Sequence, residues 1–431
     1  MSGDISRFKA KSTTTNESLM REEYIRKGID ENNGLFLIIG GMYTGYLPIS
    51  ILHAILTAVH IPLLLAAVII GRNDYVVVSE TIHFIILLSL AFVISMRYLS
   101  VRKKLDNIFE AMGRGYYNYE GTLDPGTEKE FAIHLKESEK RKSVLKYVFV
   151  GGCIGALICV SILRPVLQYY FKKYIKSKKL PHGLNGAKNT FIYYPWDSSN
   201  TWLNFIGYFL QDAYTLMTAN VVFGFVLMFV STAESVVVQL DKLKLSLKRI
   251  KIRAAFIASI NHEDPATNNN KDFRRALHIC IKHSIKHHQL ISRIFDDFKS
   301  INYLSLFYLI GSLTFLLCMS AVLFAADDVS LISKATFVFF ITSELVATFL
   351  VCMYGEHIAG MSSSLPMDLY NTEWYHFSNE LLIYYRMLAM RCTRPCQLTA
   401  GGFSQINRNT FLEVLKTAFS YANLLQASKQ K

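Results

Sequence analysis

The chain has 431 residues, 51% of them hydrophobic and only 18% charged, an apolar excess beyond what a soluble domain of this size carries. Its net charge of +13 lies in the segments between apolar runs and forms no basic binding motif, which excludes nucleic acid as a partner. The seven cysteines suggest no disulfide framework, and Cys392 with Cys396 lack the further ligands that a zinc site needs.

In chain order, residues 1–34 are polar and mixed in charge, with no apolar leader ahead of a cleavage site, so the chain is expected to begin near Met1. Long apolar runs then follow near 36–70, 76–96, 144–167, 203–231, 303–325, 335–356 and 405–426. Each can cross a hydrocarbon core of roughly 30 Å, which takes about 20 helical residues. The expectation is an all-α membrane protein of seven transmembrane helices. The first run exceeds one span and holds Pro48 and Pro62, which predicts a kinked or interfacial approach to the membrane. Pro265 and Asn268–Asn270 mark a loop in the basic stretch after the fourth span, and helix is expected elsewhere. The chain divides into a cytoplasmic segment 1–34, a body 35–356 holding the first six helices, a cytoplasmic anchor 357–404, and a last helix with an extracellular tail, 405–431.

Orientation follows from lysine and arginine, which are retained on the cytoplasmic side. With the N-terminus inside, 32 of them fall in cytoplasmic segments and 11 outside. Seven of those 11 sit in the loop between the third and fourth spans, which departs from the rule. Seven spans then place the C-terminus outside, the reverse of a metabotropic seven-helix receptor, which is the rival class.

The last run carries polar groups that lipid would not tolerate. Glu413, Lys416, Thr417, Ser420, Tyr421 and Leu424 fall on one helical stripe. Phe411, Leu412, Leu415, Ala418, Phe419, Ala422 and Leu425 supply an apolar second face. One stripe per chain cannot enclose water, so a pore reading requires several chains around an axis, with Leu424 as a candidate gate that closes by dewetting. A helix lying on the membrane surface, or one buried in a single bundle, would carry the same pattern.

The C-terminal quarter resembles the insect odorant receptor family. The residues that carry the resemblance are 354–360 (YGEHIAG), Leu365, Tyr370, Asn371, Trp374 and Tyr375. Arg391, Pro395, Leu398, Ala400, Gly401 and Phe403 follow, and then Thr410, Phe411, Leu415, Lys416, Ser420, Tyr421 and Leu425. Pro195, Trp196, Gln211 and the helix 277–291 are similar more weakly. The sister gustatory family ends in a TYxxxLxQF pattern, which Ser420 through Gln426 echoes only in part.

The resemblance implies an inverted seven-helix chain in a tetrameric, non-selective cation channel of the plasma membrane of olfactory sensory neurons. It implies a ligand-tuning subunit that binds a volatile odorant and assembles with the odorant receptor co-receptor in membrane lipid. It also implies an odorant cavity in the outer half of the membrane, between the second, third, fourth and sixth spans. The residues there are Ser79, His83, Phe84, Leu87, Val160, Leu163, Tyr208, Asp212, Tyr214, Met217, Phe337, Phe340 and Ile341. His83 or Tyr208 would orient a polar odorant group, and the cost of Asp212 in a span leaves its role open. His283 and His287 stand one helical turn apart, but no glutamate completes a catalytic motif, and neither a phosphate loop nor a nucleophile elbow occurs. No enzyme and no cofactor are expected.

An epitope tag at residue 1 should therefore stay hidden from antibody on intact cells while a tag after Lys431 is reached; the opposite labelling would favour the metabotropic class.

Overall fold

The computed structural model describes residues 17–30, 42, 47–158, 184–185, 192–194, 201–260, 270–324 and 331–429. Helix α1 spans residues 17–30, followed by α2 (Leu47–Ile70), α3 (Tyr75–Ser100), α4 (Arg102–Gly113) and α5 (Pro125–Ile158). A two-residue hairpin, β1 (Leu184–Asn185) with β2 (Ile192–Tyr193), precedes α6 (Thr201–Lys248) and α7 (Ile250–Ile260). Then come α8 (Asn270–Phe324), α9 (Leu331–Ser363), α10 (Leu365–Tyr370) and α11 (Asn379–Cys392). A second hairpin, β3 (Thr399–Ala400) with β4 (Ser404–Gln405), leads into α12 (Arg408–Lys429).

Five described helices are long and apolar enough to cross a membrane: α2, α3, and the apolar parts of α6, α8 and α9. Much of the expected third span, 159–167, lies outside the described residues. Expected helix gives way to strand at the two hairpins, because a chain reversal of a few residues cannot close as a helix. At the second, Gly401 and Gly402 take φ of +59° and +83°, a region that glycine enters without steric cost. The helices also outrun the apolar runs: α6 continues to Lys248, α9 to Ser363, and α8 begins at Asn270, well before the run at 303.

Lipid-facing helices turn their polar side inward. On α2, Ser50, His53, Thr57 and His60 are buried while Ile51, Leu52, Ile55, Val59, Leu65 and Ile69 are exposed. Hydrocarbon gives a leucine no reason to leave it, but gives a hydroxyl or imidazole every reason to find a protein partner. Tyr214 of α6 supplies one, donating to Thr57 Oγ1 at 2.9 Å and stacking on His60 with ring centroids 4.3 Å apart.

The extensions of α6 and α8 pack with α4, α7, α10 and α11 into a second bundle beyond the apolar zone. Here water is the solvent and burial drives assembly. Leu105, Ile108, Phe109, Leu243, Ala254, Cys280, Ile291 and Phe298 are all buried in its core. α1 lies so close on α4 that a Cβ at Gly28 would collide with the carbonyl oxygen of Phe109, and one at Gly113 with that of Tyr24.

A polar knot ties this bundle. Arg253 is fully buried, donating to Ser246 O at 3.1 Å and Thr122 O at 3.3 Å, with its guanidinium 4.8 Å over the Tyr119 ring. His287, also fully buried, lies 3.1 Å from Gln239 Oε1 through Nε2 and 2.8 Å from Tyr119 Oη through Nδ1. Tyr119 Oη also donates to Ser246 Oγ at 3.1 Å, and Ser246 in turn to Leu243 O at 2.8 Å, so the imidazole is one member of a buried hydrogen-bond chain. Burial, aided by Lys242, His288 and Arg253, holds the His287 pKa well below 6.5. His288 is pushed down to about 4 by burial and by Arg391.

An unfolded histidine takes up its proton near pH 6.5, whereas folded His287 and His288 do so only at lower pH. The unfolded state therefore binds more protons in that window, and stability, complete above about pH 7, declines as pH falls below it. The thermal midpoint of the purified chain should drop between pH 7 and pH 5 and drop less in His287→Gln; a midpoint equally pH-dependent in both would show that His287 is not the cause.

Candidate functional site

Four helices that cross the apolar zone, α3, α6, α8 and α9, do not close completely on one another. Between them is a cavity of about 110 Å³. Along α3 it lies roughly 14–21 Å from the α2–α3 turn, at 1.5 Å per residue, which is about half of a hydrocarbon core.

Each wall follows from helical spacing. α3 contributes Phe84, Leu87 and Leu88, α6 contributes Thr215, Thr218, Ala219 and Val222, and α8 contributes Leu309, Ser312 and Leu313. Positions three and four apart share a face, so each helix presents one narrow stripe. α9 brings Ser343, Glu344, Ala347 and Thr348. The surface is mostly hydrocarbon and suits an apolar molecule held by burial and dispersion. Thr215 and Ser312 turn their hydroxyls back onto their own helices, to Gln211 O at 2.8 Å and Leu309 O at 2.9 Å.

Of the residues expected at a ligand site, Phe84 and Leu87 line this cavity. His83 stands beside it, with Nε2 3.9 Å from Glu344 Oε1. Ser79, Asp212, Tyr214, Met217 and Ile341 lie off it, Tyr214 being engaged with α2. Val160 and Leu163 lie outside the described residues, as do the side chains of Tyr208, Phe337 and Phe340. Sequence reasoning missed the α6 stripe, the whole α8 wall and Glu344. Hydropathy had a signal for the last: Glu344 is an acidic residue inside the apolar run 335–356, and an ionisable residue at membrane depth points to function.

The last helix begins at a built joint. Asn407 caps it, accepting from Thr410 N at 2.9 Å. The hairpin before it is fixed to α8 by Gly401 N donating to Tyr303 O at 2.9 Å. Arg408 grips Glu356 of α9 bidentately, Nε to Oε2 at 2.7 Å and Nη2 to Oε1 at 2.6 Å, and its backbone N–H donates to the same carboxylate at 3.1 Å. One turn on, Phe411 meets Phe349 of α9 edge to face, centroids 5.5 Å apart. Beyond this α12 packs by a thin stripe, Thr410, Val414 and Ala418. Glu413, Lys416, Thr417, Ser420, Tyr421 and Leu424 are all exposed. Leu412 and Phe419 of the expected apolar face are exposed as well, at 50% and 70%. α9 thus carries both a cavity wall and the anchor of α12, with Glu356 about 12 Å along the helix from Thr348.

The family model described as 7tm Odorant receptor matches residues 78–419. Odorant receptor 83a of Drosophila melanogaster is 25% identical over 178 residues, a stretch that spans 39% of this chain and only 39% of that relative. Odorant receptor 85c of the same fly is 24% identical over 336 residues, 72% of this chain and 81% of the relative. In fold, the chain is similar to the insect olfactory receptor OR5 from Machilis hrabei, solved in complex with eugenol. The TM-score is 0.75 at 14% identity, covering 94% of this chain and 100% of that one.

If Glu356 holds the foot of α12, Glu356→Gln and Arg408→Met should each speed amide hydrogen exchange in residues 408–414 and leave the α3–α6 contact unchanged. Unaltered exchange in both variants would show the joint to be held by the hairpin and cap alone.

Proposed function

Because the chain belongs to the insect odorant receptor family, a receptor family and not one of enzymes, we propose that it is a ligand-tuning subunit of an odorant-gated cation channel. A volatile molecule enters the cavity between α3, α6, α8 and α9 and favours one arrangement of those helices. The polar stripe of α12 lines a water-filled pore shared with neighbouring subunits, and Leu424 closes it at rest. The observation that carries this reading is the continuity of α9, which lines the cavity at Glu344 and Thr348 and grips α12 at Glu356.

A ligand shifts an equilibrium only by its difference in affinity for the two states. Moving a channel from mostly closed to mostly open takes about 5.5 kcal/mol of such difference. At about 25 cal/mol per Å² that is about 220 Å² of apolar surface, which the ligand and the helix faces that close on it supply together when the open state encloses the ligand more fully. A shift of α9 against α3 changes that enclosure and, through Arg408 and Phe411, the tilt of α12.

Assembly is supported by surfaces that a single chain leaves uncovered. The stripe of α12 is one. Another, in the water-solvated bundle, is Ile383, Tyr384, Met387 and Met390 on one side of α11, between 45% and 74% exposed. Such a patch calls for protein cover. The partners are further subunits in a tetramer, including the odorant receptor co-receptor, in the plasma membrane of olfactory sensory neurons with the N-terminus inside.

Whole-cell recording tests the reading. Cells expressing the chain with a co-receptor should pass cation current on exposure to a panel of volatiles while G-protein signalling is blocked. Leu424→Ala should raise resting current several-fold, and His83→Ala should shift ligand sensitivity more than ion selectivity. Volatile responses that vanish with the G-protein block would overturn the channel reading, and an unchanged leak in Leu424→Ala would remove the gate.

A further inference from the structure

Three residues of the cavity wall carry a buried oxygen with no hydrogen-bond partner among the described residues, Thr218 on α6 and the pair Glu344 and Thr348 on α9, and the pair stands out because its members share one face of one helix. Neither carboxyl oxygen of Glu344 nor Oγ1 of Thr348 meets a hydrogen-bond partner among the described residues, and all three atoms are buried. They sit one turn apart on the cavity face of α9, where Cβ atoms are about 5–6 Å apart. The His83 ring, 3.9 Å from Glu344 Oε1, is beyond hydrogen-bond range. Buried polar groups are costly without partners, and those that persist deserve a reason. In a wall that is otherwise hydrocarbon, the reason is a ligand.

Resting on the assignment of this cavity as the ligand site, we propose that the ligand is a small monohydric alcohol whose hydroxyl donates to Glu344 and accepts from Thr348. The chemistry discriminates among alternatives. A carboxyl group accepts a hydrogen bond in either protonation state, but donates one only when protonated. An alcohol therefore satisfies Glu344 whichever state holds. An ether, ester or ketone satisfies it only as the neutral acid, and leaves a carboxylate unpaired. A hydrocarbon leaves both Glu344 and Thr348 unpaired. The alcohol oxygen also offers lone pairs to the Thr348 hydroxyl, so one ligand group completes both residues. Size narrows the class further. A cavity of about 150 Å³ lined by apolar side chains accommodates benzene, so one of about 110 Å³ fits a molecule of no more than about six heavy atoms.

The test measures binding to the purified full-length chain in lipid nanodiscs, from the rise in thermal midpoint with ligand concentration. The probes are 1-pentanol and butyl methyl ether, which have the same heavy-atom count and differ in the donor. At alkaline pH, with Glu344 ionised, wild type should bind the alcohol at least about tenfold more tightly, the scale of one hydrogen bond to a charged group. Glu344→Gln always offers both an N–H and a C=O, so it should raise ether affinity and bring the two to near equality. Thr348→Val should weaken alcohol and ether binding alike, several-fold, because either oxygen accepts from the Thr348 hydroxyl, and should leave unchanged the binding of n-hexane, a control with the same heavy-atom count and no acceptor. Because each variant is judged by the ratio of two ligands on the same protein, a general loss of stability cannot imitate the result, and Thr348→Val stands if Glu344→Gln does not fold. Equal affinity of wild type for alcohol and ether, or an alcohol-to-ether ratio unchanged in Glu344→Gln together with an alcohol-to-hexane ratio unchanged in Thr348→Val, overturns the proposal. If neither probe binds but other volatiles stabilise the chain and Ala219→Trp abolishes that effect, the alcohol assignment falls and the cavity stands. If no volatile stabilises it, the cavity reading falls as well.

Discussion

Hydrocarbon offers a polar group nothing to bond to, and most of this architecture follows from that. Backbone amides in the apolar zone must pair within their own segment, so the chain crosses as helices. Side chains obey the same constraint. His53, Thr57 and His60 of α2 face inward to Tyr214, and the leucines and isoleucines of the same helix face out. Where the helices leave the apolar zone the sign reverses. In the bundle of α4, α7, α11 and the extensions of α6 and α8, water drives Phe109, Leu243 and Phe298 inward.

The two solvents meet along α8, which is continuous from Asn270 to Phe324. Its first half holds His287 in the polar knot with Tyr119 and Gln239. Its second half walls the cavity with Leu309 and Leu313. An unbroken helix transmits displacement with little loss, because each turn is fixed by its own hydrogen bonds. α9 runs beside it with the same economy, from Glu344 at the cavity to Glu356 at the foot of α12. A cavity near mid-membrane and a helix with an exposed polar stripe are therefore joined by rigid parts rather than by loops.

The parts of this arrangement that depend on composition were legible beforehand. Runs of apolar residues announced α2, α3 and the membrane parts of α6, α8 and α9, since transfer into lipid is set by local sequence. The stripe of Glu413, Lys416, Thr417, Ser420 and Tyr421 was visible from helical spacing, and those side chains are exposed. The extensions were expected as helix, residues 277–291 among them, but their lysines and histidines gave no sign that α8 would run unbroken into the span at 303 and bury Cys280, Ile281 and His287. For the cavity, Phe84 and Leu87 were named in advance, but Thr215, Ala219, Leu309, Glu344 and Thr348 were not. A cavity is a failure of packing among four helices, and no single helix records it.

What the sequence alone determined is therefore membrane insertion, the helical class, the family and the amphipathic character of the last helix, each a property of consecutive residues or of ordered motifs. What the tertiary structure decided is which faces meet. Two facts of geometry came only with the fold: that Arg408 reaches Glu356 across 52 positions of sequence, and that Glu344 and Thr348 turn toward a space shared with α3, α6 and α8. The physical reason is the same for both. Rotation of a helix about its own axis is fixed by its neighbours' shapes, and those shapes are assembled from residues far apart in the chain.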